Sequence, residues 1–370
     1  MRPLAQRLAV AMLALLAACS SDKPKPTPLE TITPQIAGRQ VWSAKIDGAV
    51  PSMVGVARDG EFTVAGADGT VLALQADNGR EVWRGSAGAR LSAGIGGDGR
   101  FAAVVTRDNE VVVLERGAVK WRARLASRVS TPPLVAGERV FVMGVDRAVN
   151  AFDVIDGRLL WTLQRPGEAL TLSQPGVVAA FKDTLLIGQS HRLTGIDPLR
   201  GTVRWEVALG NPRGTNEVER LSDLTGPALR VGDVVCARSF QSAVGCANAQ
   251  LATLLWSKNV GGVQAVGGNA DLLVGADASD RITAWRTNNG DLAWTTESLR
   301  YRGLSGPLVV GRTVIFGDSE GQVHFLDRTD GKTLLRLPTD GSPVVGVPLR
   351  TGNTILVVTR SGGLFAFRPE

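Results

Sequence analysis

Two short glycine-containing patterns in this 370-residue chain have the residue types of known chemical sites. Residues 317–321 (GDSEG) match G-x-S-x-G, in which Ser319 would be a hydrolase nucleophile on a sharp turn between a strand and a helix. Residues 94–99 (GIGGDG) match G-x-G-x-x-G, whose glycines hold a phosphate at a helix N-terminus. A strand follows each match, an alternating one at residues 322–326 and an apolar one at residues 101–105, so both patterns predict turns and neither predicts a catalytic or nucleotide site.

The histidines and carboxylates give no second indication of chemistry. His191 and His324 are the only histidines, and they lie far apart in the sequence. No pair of cysteines or histidines has the spacing of metal ligands, and no residues have the pattern of a nucleophile with its base. We therefore expect no catalytic residues, no metal and no cofactor, which predicts a protein that is not an enzyme.

Two of the three cysteines lie on the arms of one predicted hairpin. Cys236 falls within residues 234–238 and Cys246 within residues 243–247, and a turn near Phe240 would place them opposite one another. In an oxidising compartment this arrangement predicts a cross-strand disulfide. Two small buried thiols remain an equal alternative.

The third cysteine belongs to an N-terminal targeting segment. Arg2 and Arg7 precede an apolar run over residues 8–18 that is too short to span a bilayer, and residues 16–19 (LAAC) match a bacterial lipobox. We expect a lipoprotein signal peptide at 1–18 and acylation of Cys19, although an ordinary secretory signal is the alternative. Ser20, in place of an aspartate, favours the outer membrane.

A proline- and serine-rich stretch, residues 19–39, follows the signal. Its composition favours extended, polyproline-like conformations. We expect it to bury nothing and to act as a tether reaching ~25 Å as a coil and ~60 Å when fully extended.

The remainder of the chain, residues 40–370, is organised by a repeat of about forty residues. Most repeats contain an alternating apolar strand, a glycine-containing turn and a tryptophan, which buries a large side chain between neighbouring units. Leu335 takes the place after the last tryptophan of the series, whose members are Trp42, Trp83, Trp121, Trp161, Trp205, Trp256 and Trp294.

A second marker counts the repeats independently. Eight polar two-residue turns, each before an apolar strand, occur at 59–60, 98–99, 137–138, 182–183, 232–233, 269–270, 311–312 and 352–353. We predict an all-β, eight-bladed β-propeller of four-stranded antiparallel blades. The N-terminal strand around Trp42 would pair with the last blade, ending at Phe367, and so close the ring.

Charge and loop length indicate what the propeller does. The net charge of +6 is scattered without basic runs, so nucleic-acid binding is not predicted.

The longest interval between tryptophans has its additional residues mainly in 210–226, and residues 168–173 carry leucines where a turn would be polar. Both segments precede innermost strands, so they should emerge on one face as a protein interface. The alternative is that the leucines pack on their own blade.

The lipobox, the tether, the eight repeats and residues 217–223 (EVERLSD) together resemble the BamB family, propeller lipoproteins of the outer-membrane β-barrel assembly (Bam) machinery. The resemblance implies a lipid-anchored, non-enzymatic scaffold on the periplasmic face of the outer membrane. It implies binding to the POTRA domains of BamA, and through BamA to the rest of the Bam complex. It further implies assistance in the delivery and insertion of outer-membrane proteins, whose unfolded precursors are a further possible partner.

The family's binding surface uses an L-x-L-R segment and an R-L-S-D-x-D segment. In this chain Ser173 replaces the arginine of the first segment, and Thr225 replaces the last aspartate of the second. The partner-binding residues that the resemblance implies are Leu170, Leu172, Arg220, Leu221 and Asp223.

Two other functions fit an eight-bladed ring. Quinoprotein dehydrogenases share tryptophan-docked blades, but they carry adjacent cysteines and a calcium site that this chain lacks. A periplasmic propeller that binds a small ligand is the remaining alternative.

Overall fold

The computed structural model describes residues 24–49, 55–165, 171–211 and 221–369, which form 32 strands in eight four-stranded antiparallel sheets. Seven sheets contain four consecutive strands, and the eighth contains the first strand together with the last three. The prediction of an eight-bladed propeller is therefore confirmed. We number the blades in chain order from the strand at Val56.

Each blade begins at the central axis and ends at the outer edge. Blades 1 to 4 consist of β2 (Val56–Arg58), β3 (Glu61–Ala65), β4 (Thr70–Gln75), β5 (Glu81–Ser86); β6 (Gly96–Gly97), β7 (Phe101–Val105), β8 (Glu110–Glu115), β9 (Ala118–Arg124); β10 (Leu134–Ala136), β11 (Arg139–Met143), β12 (Val149–Asp153), β13 (Leu159–Leu163); and β14 (Val178–Phe181), β15 (Thr184–Gln189), β16 (Arg192–Ile196), β17 (Val203–Ala208). Blades 5 to 8 consist of β18 (Leu224–Val231), β19 (Val234–Ser239), β20 (Ala243–Asn248), β21 (Thr253–Lys258); β22 (Gly267–Gly268), β23 (Leu272–Ala276), β24 (Ile282–Arg286), β25 (Leu292–Thr296); β26 (Leu308–Val310), β27 (Thr313–Gly317), β28 (Gln322–Asp327), β29 (Thr333–Pro338); and β30 (Val344–Thr351), β31 (Thr354–Thr359), β32 (Gly363–Pro369) with β1 (Gly38–Lys45).

The N-terminal strand closes the ring in blade 8. β1 pairs antiparallel with β32, from Gly38 opposite Pro369 to Lys45 opposite Gly363. The predicted closure is confirmed, and it gives blade 8 the fourth strand that its own repeat lacks. All eight predicted polar turns join the first and second strands of a blade.

The tryptophans connect successive blades. The indole N–H of Trp121 donates to the carbonyl of Val154 in the next blade at 2.8 Å, and Trp256 donates in the same way to Thr287 at 2.8 Å. Glycine is required beneath the ring: a Cβ on Gly290, where φ is +74°, would lie 2.6 Å from the ring of Trp256. The repeated glycine turn and the tryptophan therefore form one packing unit that spans two blades.

The segment before β1 is not a free tether over its whole length. Leu29 packs against the core of blades 6 and 7, and Ile36 packs against the core of blades 7 and 8. The backbone N–H of Thr27 donates to the carbonyl of Arg300 at 2.9 Å, and that of Gln35 donates to Leu334 at 2.8 Å. Sequence composition predicted no burial here, but two apolar side chains among the prolines hold residues 24–37 against blade 7. We call this segment the strap.

The predicted signal peptide and Cys19 lie outside the described residues. Where the structure describes the chain, it contains no helix long and apolar enough to cross a membrane.

Candidate functional site

Two sets of loops emerge on one face of the ring because antiparallel strands alternate in direction. They are the crossovers that lead into each innermost strand and the loops between the second and third strands. We call this face the upper face. Arg147 lies in the β11–β12 loop, while Leu172 and Asp223 lie in the crossovers before β14 and β18. The described parts of segments 168–173 and 210–226, around Leu172 and Asp223, therefore share the upper face.

Asp223 joins these segments directly. Its Oδ2 accepts a hydrogen bond from the backbone N–H of Leu172 at 2.9 Å, and its Oδ1 lies 3.7 Å from a guanidinium nitrogen of Arg147. The Asp223 side chain is only 17% exposed. A carboxylate that accepts a backbone N–H and faces a cation is well satisfied. Asp223 thus positions the neighbouring segment more than it presents a charge to solvent.

Further hydrogen bonds tie the same loops together. The Thr171 hydroxyl donates to the carbonyl of Val145 at 3.2 Å, and the Gln189 amide donates to the carbonyl of Arg147 at 2.9 Å. Three loops from blades 3, 4 and 5 therefore form one unit, which we call the Asp223 cluster. Its members are Arg147, Thr171, Leu172, Gln189 and Asp223.

The leucines adjoin this cluster. Leu172 and Leu221 are both half-buried, so part of each side chain is available on the upper face. The other two predicted residues, Leu170 and Arg220, lie outside the described residues. The structure brings Leu172 and Asp223 together, and it places Leu221 two residues before Asp223.

The two departures from the family pattern lie in different environments. Ser173 is exposed, so the missing arginine changes the surface of the upper face. Thr225 is 4% exposed in β18, where it pairs in register with Arg238 of β19. Arg238 is fully buried and donates only to backbone carbonyls, and burial lowers its pKa to about 10. The Thr225 departure therefore alters the interior of blade 5 and leaves the exposed surface unchanged.

The crevice at the Asp223 cluster is small, with a volume of about 40 Å³. That space holds a water molecule or two, whereas a small-molecule site needs roughly 300–1,000 Å³. A larger cavity of about 300 Å³ lies between blades 3 and 4, on the opposite face, and is lined by residues that include Phe141, Leu199 and Arg204. The geometry of the cluster fits a surface contact better than ligand enclosure.

The G-x-S-x-G segment is the β27–β28 turn of blade 7, with no helix after it. Ser319 is exposed, while its neighbour Asp318 is fully buried. Asp318 Oδ2 lies 2.8 Å from Nε of Arg302 and 2.9 Å from Nε2 of His324. The aspartate and histidine thus bind an arginine and one another, in an arrangement that does not activate Ser319.

His324 is held in its neutral form. Arg336 Nε donates to Nδ1 at 3.4 Å, which assigns the ring proton to Nε2 and the donor role toward Asp318. Burial lowers the pKa of His324, and the Asp318 carboxylate only partly offsets this effect. Burial acts to raise the pKa of Asp318, but hydrogen bonds from His324, the backbone and Arg302 hold it below its usual value. With its Nδ1 lone pair occupied, this histidine is not placed to act as a base.

The G-x-G-x-x-G match also has a structural explanation. Gly96 and Gly97 form β6, the innermost strand of blade 2. A Cβ on Gly96 would lie 1.9 Å from the carbonyl oxygen of Pro133 in the approach to blade 3. Glycine is required here because the innermost strands crowd around the axis, and no phosphate is needed to explain it.

Cys236 and Cys246 are opposite one another on β19 and β20 of blade 5, with their Cα atoms 4.0 Å apart, and the structure joins them in a disulfide. Both are fully buried and lie beneath Trp256. Among the described residues, no group of three or more histidine, cysteine, aspartate or glutamate side chains could hold a metal ion.

Sequence reasoning missed Arg147, Thr171 and Gln189. Arg147 belongs to blade 3, whereas Thr171 lies in the crossover into blade 4 and Gln189 ends β15, and only the folded ring brings these residues together. Arg147 has a positive φ of +67° in the β11–β12 turn, as Gly69 and Gly321 have in the corresponding turns of blades 1 and 7, so its backbone follows the repeat and its contact with Asp223 is what the repeat does not predict. Thr171 lies between two leucines that drew attention for their own hydrophobicity.

Comparison with known proteins agrees with this architecture. The family model for the outer membrane protein assembly factor BamB matches residues 67–296 and 297–370. The BamB of Burkholderia pseudomallei is 35% identical over 97% of this chain and 96% of its own length. The BamB of Bordetella pertussis is 33% identical, with 98% and 97% covered.

Solved structures show the same fold. BamB from Moraxella catarrhalis superposes with a TM-score of 0.82 at 22% identity, over 90% of this chain and 100% of that one. A quinohemoprotein alcohol dehydrogenase from Comamonas testosteroni superposes with a TM-score of 0.67 at 13% identity, over 90% of this chain and 76% of the dehydrogenase. Both structures share the fold, but the family model and the relatives that match over nearly the full length are BamB proteins. The chain belongs to the family of the outer membrane protein assembly factor BamB.

Proposed function

We propose that this chain is a non-enzymatic scaffold of the outer-membrane β-barrel assembly complex, where it helps outer-membrane proteins to be delivered and inserted. Membership in the BamB family over nearly the whole chain carries this proposal, because the full-length relatives are outer membrane protein assembly factors by name. The chain is anchored through acylated Cys19 on the periplasmic face of the outer membrane. Several acyl chains on one residue are sufficient for stable anchoring.

The partner is the POTRA region of BamA, and the contact surface is the upper face around the Asp223 cluster. Two half-buried leucines, Leu172 and Leu221, adjoin charged groups there, which is the arrangement of an apolar contact with a polar rim. Asp223 acts as a positioning residue, because its carboxylate fixes the backbone that carries Leu172. Leu170 and Arg220, which lie outside the described residues, belong to this proposal through the resemblance of their segments to the family's binding segments.

A binding measurement with purified BamA POTRA domains tests this function. Leu172→Ala combined with Asp223→Ala should weaken binding at least tenfold, because one change removes apolar contact and the other releases the segment. The matched control is Leu199→Ala combined with Asp77→Ala, which alters an exposed leucine and an exposed aspartate on the opposite face. Wild-type affinity in the Leu172/Asp223 variant, with an unchanged circular dichroism spectrum, would contradict the site assignment.

The quinoprotein alternative has a direct test. A quinoprotein would show an absorbance change on incubation with pyrroloquinoline quinone and calcium, and we expect none here.

A further inference from the structure

The strap crosses the outer edge of blade 7 from one face of the ring to the other. Near its end, Gln35 donates to Leu334, which lies at the start of β29. Near its beginning, Thr27 donates to Arg300, in the crossover between β25 and β26. That crossover belongs to the upper face. The chain therefore leaves the described propeller, in the direction of Cys19, at the rim of the upper face.

A buried group of charges fastens this end of the strap. Arg302 is 2% exposed and donates to the carbonyl of Thr27 at 3.0 Å, while it also pairs with Asp318 and Glu320. Arg336 donates to the carbonyl of Glu30 at 3.1 Å. Two arginines of the propeller, Arg302 and Arg336, thus hold two backbone carbonyls of the strap. Arg302 is held by the buried carboxylate of Asp318, and Arg336 donates to Nδ1 of the buried His324, so both guanidinium groups have little freedom to follow a moving segment.

The attachment shortens the free stretch of chain between Cys19 and the propeller. Only eight residues separate Cys19 from Thr27, and a fully extended chain of that length spans about 28 Å. If residues 24–37 were free, the chain between Cys19 and the propeller would run to Gly38, the first residue of β1, and would reach about 65 Å.

We infer that the strap orients the propeller on the membrane, so that the upper rim of blades 6 and 7 is the part of the ring nearest to the lipid surface. This inference rests on the proposed acylation of Cys19. The Asp223 cluster lies on the same upper face, around blades 3 to 5, so a partner bound there is presented on the membrane-facing side. The strap also lies against the outer strand of blade 7, to which it is joined by the backbone hydrogen bond from Gln35 to Leu334.

Energy transfer to labelled lipids tests the orientation. The full-length protein, acylated at Cys19, is reconstituted into vesicles with acceptor-labelled headgroups, and a donor is attached at Ser319→Cys or at Lys332→Cys. Both positions are exposed and belong to blade 7, but Ser319 is on the upper face and Lys332 on the opposite one. We expect at least twofold more transfer from Ser319→Cys. The label reacts selectively when Cys236 and Cys246 are joined in a disulfide.

Release of the strap should remove this difference. Thr27→Pro deletes the N–H that donates to Arg300, and Leu29→Asp places a charge where an apolar side chain packs. The matched control, Thr33→Pro with Thr31→Asp, makes the same two kinds of change at exposed strap positions and should keep the asymmetry.

Equal transfer from the two positions in the wild type, or an asymmetry that survives strap release, would overturn the inference. Loss of vesicle binding by Cys19→Ser and full binding by the strap-release variant are expected if the anchor is correct. An acylated wild type that does not bind vesicles would instead overturn the anchor itself. These outcomes separate failure of the orientation from failure of the proposed function.

Discussion

The upper face carries two carboxylates that hold segments outside the repeat, and they are built differently. Asp318 in blade 7 is completely buried, binds Arg302 and His324 within 2.9 Å, and through Arg302 holds the strap. Asp223 is 17% exposed, binds one backbone N–H, and lies 3.7 Å from its arginine. The first arrangement is a closed network, in which loss of the Asp318 carboxylate or of the Arg302 guanidinium leaves the other charge buried without this partner. The second is an open contact, which can be perturbed without disturbing the ring.

The largest effect should come from the closed network. Asp318→Ala leaves Arg302 and His324 in the interior without their common anion, and loss of one partner of a buried ion pair costs about 3–5 kcal/mol. Urea unfolding, followed by tryptophan fluorescence, measures the change in the free energy of unfolding. A loss below about 1 kcal/mol would show that blade 7 tolerates Arg302 with Glu320 as its remaining carboxylate partner, and the contrast with Asp223 would disappear.

The disulfide should rank second. It closes a ten-residue separation within blade 5, next to the open contact, and the chain-entropy estimate for such a loop is about 2–3 kcal/mol. We expect Cys236→Ala with Cys246→Ala to lower the free energy of unfolding by that amount. Thiol titration of the unfolded wild-type protein, with and without reductant, shows directly whether the bond is present. Two titratable thiols before reduction would restore the alternative of buried free cysteines.

Asp223 should matter less for stability than for binding. Asp223→Ala removes a charged acceptor from a partly exposed site, for which about 1–2 kcal/mol is expected. Asp223→Asn retains an oxygen that can accept from Leu172 and should recover most of the stability. If Asp223 acts by positioning, the asparagine variant also recovers affinity for the POTRA domains. Recovery of stability without recovery of affinity would show that the charge itself contacts the partner.

The sequence predicted the ring but not these networks. Blade number, closure by β1 and the tryptophan contacts follow from local periodicity, because each repeat contains the same strand, turn and aromatic residue. The Asp223 cluster joins residues about 75 positions apart, so no window of the sequence could reveal it. The role of the strap was hidden for a different reason. Its proline content indicates an extended chain, and only the blade 7 surface determines that Leu29 and Ile36 are covered.

The smallest predicted effect is a pH dependence that belongs to the closed network alone. The groups that face His324 are Asp318, Arg302 and Arg336. Its pKa in the folded protein lies below the usual value of 6.5, chiefly because burial disfavours the charged ring. Between those two pKa values the unfolded chain binds a proton that the folded chain does not. The contribution of His324 to the free energy of unfolding is therefore fully present above about pH 6.5 and is lost as the pH falls from there toward the pKa of the folded state.

The slope of that loss is at most about 1.4 kcal/mol per pH unit for one proton. His324→Gln is the sharpest comparison, because a glutamine amide donates to Asp318 and accepts from Arg336 but does not titrate in this range. The free energy of unfolding of this variant should change less with pH than that of the wild type between pH 6.5 and 5. Urea titrations at each pH measure it. Asp318 adds no slope in that range, since its pKa lies below its usual value near 4 and its contribution is lost only under more acidic conditions. An equal slope in both proteins would assign the acid sensitivity to other groups. It would also mean that the complete burial of His324 in blade 7 does not lower its pKa enough to affect stability.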